Sequence, residues 1–410
     1  MTLYEELKWR GLVYNISDEA LIDKLNKGEL TFYLGADPTG DSLHVGHLVT
    51  YLVAKRLEAV GNKPIFLIGG ATGTIGDPKP TAERQLLSLD VTQKNAECLT
   101  KQVKKMFNCQ VVNNLDWTKN LNVLDFLRDF GKFFNINYMI NKETVKARLD
   151  TGISFTEFSY QILQAMDYEY LFSKYGCNLQ IGGQDQWGNI TGGLELIRKV
   201  HGVETQCYAL TIPLILKSDG TKFGKTEGGA VWLDPLKTSP YHFYQFWINT
   251  PDDMVILRLK QFTFLNPSEI EALEQSVKDE PHLRKAQTKL AEEMTKLIHG
   301  EEALKQAQNI TQALFSGEIK KLTPSEVEIA FSSMPKVQIN EDTLLIDALV
   351  LAGAAKSKRE AREFISNGAV LVNGEQQKSL EYMLTSEQTL GKYIILRRGK
   401  KNYYCIEYEK

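Results

Sequence analysis

Residues 33–47 read YLGADPTGDSLHVGH, and this stretch decides how the first half of the chain folds. The apolar run Leu30–Leu34 leads into it and predicts a buried strand, while the apolar spacing from Leu48 onward predicts a helix. Where a strand passes through a short turn into a helix, backbone N–H groups and the positive end of the helix dipole converge on a place where an anion can bind. The stretch therefore predicts an α/β fold with a ligand site at this turn.

Two histidines lie in the first helical turn of this stretch. His44 and His47 are three residues apart, so they project from the same side of the helix. Gly46 leaves room for a flat group to lie against the helix, and Gly35 permits close approach at the strand end. By spacing alone, a surface histidine pair without a function is an equally good interpretation. No nearby acid or cysteine completes a metal ligand set.

Short apolar runs alternate with helical patterns from Leu30 to about Leu216, which is typical of a mostly parallel sheet covered by helices. Further strands are predicted at Ile65–Gly69, Gln110–Asn113, Asn178–Ile181 and Tyr208–Ile212. After Pro240 we expect helices instead, at Tyr241–Ile248, Asp253–Phe262, Pro267–Val277, Pro281–Gly300 and Glu301–Phe315. The patterns divide the chain into a Rossmann-like domain (1–235), an α-helical domain (236–318), a linker (319–342) and a small α+β domain (343–410).

The composition excludes several classes of protein. With 43% hydrophobic and 24% charged residues it is that of a soluble globular protein, and its apolar runs are far shorter than the roughly 20 residues that span a bilayer. The first ten residues contain acids and no apolar core, so we expect no signal peptide. The five scattered cysteines form no Cys-x-x-Cys pair, which favours a reducing cytoplasm and argues against structural zinc. The net charge of −3 is too mild to indicate a polyanionic partner.

A second glycine-rich stretch, residues 217–229, reads KSDGTKFGKTEGG. It ends like a P-loop, but Asp219 stands where the first P-loop glycine is required, so that interpretation fails. What remains is a loop with Lys222 and Lys225 three residues apart and Thr226 beside them, a pattern suited to closing over a polyphosphate. A solvated loop of lysines and glycines is the commoner explanation of such a stretch taken alone.

Together, the two stretches resemble the two signature sequences of class I aminoacyl-tRNA synthetases, in the same order and about 180 residues apart. Within that class the chain is similar to bacterial tyrosyl-tRNA synthetases over nearly its whole length. Further matching stretches are IGGATGTIGDP at 68–78, NNLDW at 113–117, TGISFTEFSY at 151–160 and QIGGQDQWGN at 180–189. The resemblance implies a ligase that activates tyrosine with ATP to tyrosyl-adenylate, releases pyrophosphate, and transfers tyrosine to the 3′-terminal ribose of tRNA(Tyr).

One predicted helix carries three polar residues on one side. Tyr160, Gln164 and Asp167 are spaced i, i+4, i+7 and so point the same way, which also fits a solvated helix face. The resemblance assigns them to the tyrosine pocket: Tyr160 and Gln164 meet the substrate ammonium, and Asp167 with Tyr33 holds the phenolic hydroxyl. A carboxylate that accepts this O–H disfavours phenylalanine, because the polar groups of the site would then be left buried and unpaired.

The stretch 180–189 supplies more of the implied site. Gly183 lets the chain pass close to a ligand, and Asp185 can accept hydrogen bonds from ribose hydroxyls or simply cap a turn. The resemblance assigns Asp185 to the ribose of ATP. It places Gln180 and Gln186 around the ammonium and carboxylate of the amino acid, next to the ATP site, and Asp37 near the α-amino group.

The resemblance also implies which residues contact the phosphates. Thr39 and His44 hydrogen-bond the departing pyrophosphate, and His47 packs beside the nucleotide. The residues implied to close over the phosphates are Lys222, Lys225, Thr226 and Arg84. Mg²⁺ accompanies ATP with few or no dedicated protein ligands, and no tightly bound prosthetic group is implied. Phe223-Gly224 stands where the family signature has Met-Ser.

The C-terminal region predicts a short helix followed by a glycine turn and a strand. Lys358, Arg359 and Arg362 lie on one side of the helix and could contact RNA phosphates, although a charged surface helix has the same pattern. The pattern resembles the S4 RNA-binding fold, which implies contact with tRNA. The resemblance also implies a homodimer formed by an insertion near 115–160, whose apolar residues are Phe126, Phe130, Phe133, Phe134 and Tyr138.

Three other functions fit the sequence less well than this one. A tryptophanyl-type synthetase shares both nucleotide signatures, but Tyr33, Asp167 and the S4-like tail favour tyrosine. A non-catalytic RNA-binding paralogue has no need of the intact histidine and lysine pairs. A dinucleotide-dependent oxidoreductase requires a Gly-x-Gly-x-x-Gly turn after a strand, which this sequence lacks.

Overall fold

The computed structural model describes residues 1–78, 86–107, 109–217, 220–221, 223–226, 229–332, 334–399 and 402–409. The chain forms two compact units. One contains Met1–Asp234 and Pro251–Ala286, and the other contains Pro235–Thr250 and Gln287–Lys410. None of the helices in the described ranges has both the length and the apolar character that crossing a membrane requires.

The α-helices of the described ranges are, in chain order, α1 Leu3–Trp9, α2 Ala20–Lys27, α3 Val45–Ala59, α4 Thr72–Ile75, α5 Leu89–Met106, α6 Leu115–Thr118, α7 Val123–Asp125, α8 Ile136–Ile140, α9 Glu143–Lys146, α10 Phe155–Tyr175, α11 Trp187–His201, α12 Pro240–Ile248, α13 Asp252–Phe262, α14 Pro267–Asp279, α15 Lys285–His299, α16 Glu301–Ser316, α17 Pro324–Phe331, α18 Leu345–Leu351 and α19 Lys358–Ser366. A π-helical turn at Phe126–Phe130 and short 3₁₀ turns, such as Gln184–Gln186, lie between them.

The strands of the described ranges are β1 Asn15–Ile16, β2 Thr31–Ala36, β3 Lys63–Ile68, β4 Gln110–Asn113, β5 Leu179–Gly183, β6 Tyr208–Ile212, β7 Lys225–Thr226, β8 Gly229–Ala230, β9 Lys336–Ile339, β10 Thr343–Leu344, β11 Val370–Val372, β12 Glu375–Gln377, β13 Met383–Leu384, β14 Tyr393–Arg398 and β15 Asn402–Tyr408. The strands predicted from the apolar runs of the first half are confirmed to within two residues.

The first unit is built on a sheet with the strand order β1-β6-β5-β2-β3-β4. All neighbouring pairs are parallel except β1 with β6. Phe32, Tyr33 and Leu34 are consecutive and all buried, because helices cover both faces of a parallel sheet. The predicted α/β fold is confirmed. The strand order runs outward in opposite directions from the β2–β5 pair, and ligands of open α/β sheets bind beyond the carboxyl ends of such strands.

Helices α13 and α14 belong to the first unit, which corrects the prediction of one helical domain at 236–318. Two buried arginines account for this. Arg10 donates to the carbonyl oxygens of Thr263 at 3.1 Å and Leu265 at 2.8 Å, just beyond α13, and to Glu6 at 2.6 Å. Arg56 of α3 also donates to the carbonyl of Thr263. These bonds satisfy carbonyl groups at the helix end that have no partner within the helix.

The stretch 319–342, predicted to be a linker, contains α17 and β9. Thr323 caps α17 by accepting a hydrogen bond from the N–H of Glu326, and Pro324 occupies the first helical position. Strand β9 pairs in parallel with β15. The prolines that suggested a linker therefore mark a helix start and a strand boundary.

The second unit contains a sheet with the strand order β12-β11-β14-β15-β9, whose central strand β14 is buried on both faces. In β14, Ile394 and Leu396 pack in one apolar core with residues of α18 and α19. Tyr393 and Ile395 pack in another core with residues of α16 and α17. Because alternate residues of a strand point to opposite faces, the continuous apolar run in β14 joins the helical layer to the C-terminal module.

We expect Ile395→Ala to lower the free energy of unfolding by about 2–5 kcal/mol, because it leaves a cavity between β14 and the helices α16 and α17. Urea unfolding followed by circular dichroism measures this. Leu351→Ala, at a position that is 58% exposed, is the control and should change stability by less than about 0.5 kcal/mol. Equal effects of the two substitutions would contradict a core on this face of the sheet.

Candidate active site

A cavity of about 460 Å³ opens at the carboxyl ends of β2 and β5. From these two neighbouring strands, the strand order of the sheet runs outward in opposite directions. The residues predicted from the sequence that line it are Tyr33, Gly35, Asp37, Thr39, His44, Gly46, His47, Tyr160, Gln164, Asp167, Gln180, Gly183, Asp185 and Gln186. Side chains that are up to about 150 residues apart in the sequence therefore surround one space.

The two histidines form the N-terminal cap of α3. The N–H of Gly46 donates to His44 Nδ1 at 3.0 Å, and the N–H of His44 donates to His47 Nδ1 at 3.3 Å. The imidazole rings stack with their centroids 3.9 Å apart. A Cβ atom at position 46 would lie 2.7 Å from His44 Cε1, so only glycine allows this arrangement. Burial, with a smaller effect from His44, lowers the pKa of His47 to about 3, so His47 is neutral at pH 7.

Asp167 is the most deeply buried carboxylate of the cavity, with 2% of the residue exposed. Asn114 Nδ2 donates to Asp167 Oδ2 at 2.9 Å, and Trp117 Nε1 donates to Oδ1 at 3.0 Å. The N–H of Ala71 donates to Asn114 Oδ1 at 2.7 Å and fixes the amide orientation. Burial raises the pKa of Asp167 to about 7, although both hydrogen bonds act in the opposite direction.

A second carboxylate, Asp37, lies where β2 ends. It accepts hydrogen bonds from Thr72 Oγ1 at 2.7 Å and from Tyr160 Oη at 2.9 Å. A Cβ atom at position 69 would overlap Asp37 Oδ1, so Gly69 leaves the space that this carboxylate occupies. Asp37 thereby joins β2, α4 and α10 on one side of the cavity.

Asp77 is a third carboxylate on the cavity wall. It accepts hydrogen bonds from Gln186 Nε2 at 2.9 Å and from Asn189 Nδ2 at 3.1 Å. Burial lowers the pKa of Lys142 to about 8, while the negative charge of Asp77 raises it. The side chains of Gln186 and Asp77 are thus oriented by each other before any ligand binds.

Several buried polar atoms of the cavity have no hydrogen-bond partner among the described residues. They are Tyr33 Oη, Gln164 Oε1 and Gln180 Oε1. Buried polar atoms are almost always paired in folded proteins, so these three are available to a polar ligand. Burial and the negative charge of Asp167 raise the pKa of Tyr33, so its hydroxyl keeps its proton and can donate it.

The outer part of the cavity is formed by the turn that follows β5. Asp185 is exposed there, and a Cβ atom at position 183 would lie 2.6 Å from Asp185 Oδ1. Gly183 therefore allows the carboxylate to fold back toward the strand end, where its oxygens can accept hydrogen bonds from hydroxyl groups.

The second glycine-rich stretch is described only in part. Lys222 and Arg84 lie outside the described residues, as do the side chains of Lys225 and Thr226. The backbone of Phe223 and Gly224 lies against the first turn of α3, because a Cβ atom at position 224 would be 2.9 Å from the N of Gly46. This stretch and the histidine cap therefore meet at one helix end.

Lys358, Arg359 and Arg362 lie on α19 in the second unit, and all three are exposed. Lys358 forms an ion pair with Asp347 at 2.6 Å. Neither arginine forms an ion pair with any residue that the structure describes. Their charges are available to an anionic partner.

Sequence reasoning missed the residues that hold the carboxylates in place. Asn114 and Trp117 follow β4, and Thr72 and Asp77 follow β3. Both stretches match the family, but the sequence alone gives no role to these side chains. The signal that could have found them is their position, because polar residues just beyond the carboxyl ends of parallel strands face the ligand site.

Comparison with known proteins assigns the family. A model of class I tRNA synthetases (W and Y) matches residues 25–316, and a model of the tyrosine–tRNA ligase SYY-like C-terminal domain matches residues 326–406. Tyrosine–tRNA ligase 2 of Bacillus thuringiensis subsp. konkukian is 53% identical over 99% of this chain and 100% of its own length. The chain belongs to the tyrosyl-tRNA synthetases of class I.

Two further proteins agree with this family. Tyrosine–tRNA ligase of Listeria monocytogenes serotype 4a is 51% identical and matches over the whole of both chains. Among solved structures, a C-terminally truncated mitochondrial tyrosyl-tRNA synthetase of Aspergillus nidulans has a TM-score of 0.69 at 32% identity, covering 77% of this chain and 94% of that one. The fold of that solved structure thus matches about three quarters of this chain.

Asp167→Asn should remove a pH dependence of stability that the wild type shows up to about pH 7. Because the Asn amide also places an NH2 group against one of the donors Asn114 and Trp117, the change of the stability difference with pH is the informative quantity. Because the pKa of Asp167 is raised from 3.8 to about 7 in the folded protein, stability associated with its proton is present at low pH and is lost as the pH rises through about 7. Urea unfolding at pH 5 and pH 8 should show the difference moving in favour of the variant by on the order of a few kcal/mol. A difference that is independent of pH would contradict the raised pKa.

Proposed function

We propose that the cavity of the first unit binds tyrosine and ATP side by side and joins them as tyrosyl-adenylate. As a tyrosyl-tRNA synthetase, the chain is a tyrosine–tRNA ligase with tyrosine, ATP and tRNA as its substrates. The observation that carries the assignment of the cavity is the buried carboxylate of Asp167 beside the unpartnered hydroxyl of Tyr33.

Asp167 and Tyr33 would recognise the phenol of the substrate. The phenolic O–H donates to the Asp167 carboxylate, and the phenolic oxygen accepts from Tyr33 Oη. Asn114 and Trp117 already occupy one site on each carboxylate oxygen, so the carboxylate cannot turn away. Phenylalanine would leave both Asp167 and Tyr33 without a partner, and tryptophan offers an N–H of different position and shape.

The amino-acid ammonium would lie at the opposite side of this pocket. Asp37 supplies negative charge, and Tyr160 Oη and the unpartnered Gln164 Oε1 supply acceptors. Gln180 and Gln186 would contact the ammonium and the carboxylate. These contacts leave a carboxylate oxygen of tyrosine directed at the α-phosphorus of ATP, which is a positioning effect and needs no covalent bond to the protein.

ATP would lie over the first turn of α3. Asp185 accepts hydrogen bonds from the ribose, Gly35, Gly46 and Gly183 allow close approach, and neutral His47 packs beside the nucleotide. When the tyrosine carboxylate attacks, the bond from the α-phosphorus to the bridging oxygen breaks and pyrophosphate leaves. Thr39 and His44 would donate hydrogen bonds to it, and the end of the α3 dipole favours its negative charge.

Lys222, Lys225, Thr226 and Arg84 would neutralise the β- and γ-phosphates of ATP. Nucleotide triphosphates enter such sites as Mg²⁺ complexes, with phosphate oxygens and water as the main ligands. In the second step, a hydroxyl of the 3′-terminal ribose of tRNA(Tyr) attacks the tyrosyl carbonyl, and AMP leaves.

We propose that α19 contacts the tRNA. Arg359 and Arg362 are exposed and form no ion pair with a described residue. Their binding to RNA phosphates would release counterions condensed on the RNA and would break no ion pair with the described residues. The S4-like character of the 343–410 region supports the same conclusion.

We also propose that the protein is a homodimer. The described residues of 123–138 include apolar side chains that are more than half exposed: Val123, Leu124, Leu127, Ile136 and Tyr138. The neighbouring Phe126, Phe130, Phe133 and Phe134 instead pack against the core of α10. A cluster of exposed apolar residues on a layer whose inner face is packed is typical of an interface. A cytoplasmic location fits the five free cysteines.

Amino-acid-dependent exchange of labelled pyrophosphate into ATP, run with all twenty amino acids and no tRNA, should occur with tyrosine alone. Tyr33→Phe should raise the KM for tyrosine about 3–10-fold and weaken discrimination against phenylalanine, because one hydrogen bond to the phenol is lost. Tyr175 packs on the same core as Tyr33 but does not line the cavity, so Tyr175→Phe is the control. Exchange with tryptophan would favour the tryptophanyl type, and exchange with no amino acid would favour the non-catalytic paralogue.

Charge reversal of α19, by Arg359→Glu with Arg362→Glu, should lower kcat/KM for tRNA at least about tenfold at low salt. Pyrophosphate exchange should stay within about twofold, because adenylate formation does not involve tRNA. The matched reversal of the exposed Lys104 and Lys105 on α5 is the control for net charge. A parallel loss of charging and exchange would contradict the assignment of α19 to tRNA.

A further inference from the structure

A buried arginine on α13 contacts both ends of the loop 217–222, which is the first part of the second glycine-rich stretch. Arg258 is 2% exposed. Its Nη2 donates to the carbonyl oxygen of Leu216, and its guanidinium carbon lies 4.4 Å from the ring centroid of Phe223. Leu216 lies on the chain entering the loop, and Phe223 lies on the chain leaving it. One planar cation therefore contacts both sides of the loop base.

The charge of Arg258 has no neutralising partner within the described residues. No carboxylate there forms an ion pair with it, and its Nε has no hydrogen-bond partner. Within the described residues, its only hydrogen bond to another side chain runs from Nη1 to Gln261 Oε1 at 2.7 Å. Burial lowers its pKa to about 10, so it remains charged at neutral pH. A buried cation without a carboxylate is costly, and its contacts with the loop offset part of that cost.

Two further contacts hold Phe223 in place beside Arg258. The N–H of Phe223 donates to the carbonyl of Ile215 at 3.1 Å. The Phe223 ring also lies 5.5 Å from the ring of Phe262, one turn further along α13. The ring of Phe223 is thus held between the guanidinium and a second aromatic ring of the same helix.

Helix α13 also contacts α3, the helix that begins at the first glycine-rich stretch. Arg56 of α3 donates to the carbonyl of Thr263 at the end of α13. The N-terminal turn of α3 carries His44 and Gly46, and the backbone of Phe223 and Gly224 lies against that turn. Helix α13 is therefore a common support for the two segments that meet at the nucleotide side of the cavity.

We propose that Arg258 is a positioning residue for adenylate formation. By contacting both Leu216 and Phe223, it sets the position of the backbone of Phe223 and Gly224 against the first turn of α3, where the phosphates of ATP would lie. The proposal rests on the proposed function. It requires that loss of Arg258 impair the ATP-dependent step while the tyrosine pocket, formed by other elements, is unaffected.

The test compares Arg258→Met with the wild type in pyrophosphate exchange and in single-turnover adenylate formation. Methionine keeps an apolar side chain of similar length but loses the planar cation. We expect kcat/KM for ATP to fall about 10–100-fold, because small misplacements of charged groups have effects of this size. The Kd for tyrosine without ATP, measured by equilibrium dialysis, should change less than about twofold. Arg258→Lys should recover only part of the loss, since it restores charge without the planar fork.

Two controls separate positioning from folding. Lys260→Met removes a cation from the same helix, where it lies over Trp9 and away from the loop, and should leave kcat/KM for ATP unchanged. Phe223→Leu removes the ring from the loop side without altering α13. The double variant Arg258→Met with Phe223→Leu should lose less than the sum of the two single losses, because the two substitutions share the contact between Arg258 and Phe223.

Three results would overturn the proposal. They are unchanged ATP kinetics in Arg258→Met, a fall in tyrosine affinity equal to the fall in kcat/KM for ATP, and additive effects in the double variant. The first of these would leave the proposed function intact, because the wild type would still activate tyrosine. A wild type that exchanges with no amino acid would remove the proposed function and this inference together.

Discussion

The parallel pairing of β2 with β5 is the constraint on which the cavity depends. Tyr33 lies opposite Gln180 in this pair, and the chain leaves the two strands toward opposite ends of the sheet. The crevice that results is open because no crossover connection covers it. The three carboxylates that are not exposed come from different elements: Asp37 from the end of β2, Asp77 from beyond α4, and Asp167 from α10.

The carboxylates of Asp37, Asp77 and Asp167 lie around one cavity, where they repel one another and lose hydration. Each carboxylate accepts two side-chain hydrogen bonds, from donors that lie on other elements. Such charge-assisted hydrogen bonds offset the loss of hydration. They also fix the carboxylates before a ligand arrives, which lowers the entropy lost on binding. The hydrogen bonds that stabilise the carboxylates are therefore the same ones that preorganise the site.

The sequence predicted the parts of this structure that depend on local chemistry. The strands follow from apolar runs, and the placement of His44 and His47 on one side of the helix start follows from their spacing. It did not predict that α13 and α14 join the first unit, because that outcome depends on Arg10 binding carbonyl groups about 250 residues away. Nor did it predict the donors Asn114 and Trp117, since nothing local distinguishes a buried amide from a turn residue. The positions of Lys222 and Arg84 remain predictions.

The burial of both faces of β14 limits how the C-terminal module could contact a nucleic acid. Many RNA-binding sheets leave one face open, and unstacked bases lie flat on its aromatic residues. Here residues of α18 and α19 cover one face of β14, and residues of α16 and α17 cover the other. Bases therefore cannot stack on this central strand. The proposed contact through the arginines of α19 would instead follow the path of the sugar–phosphate backbone, which carries no sequence information of its own.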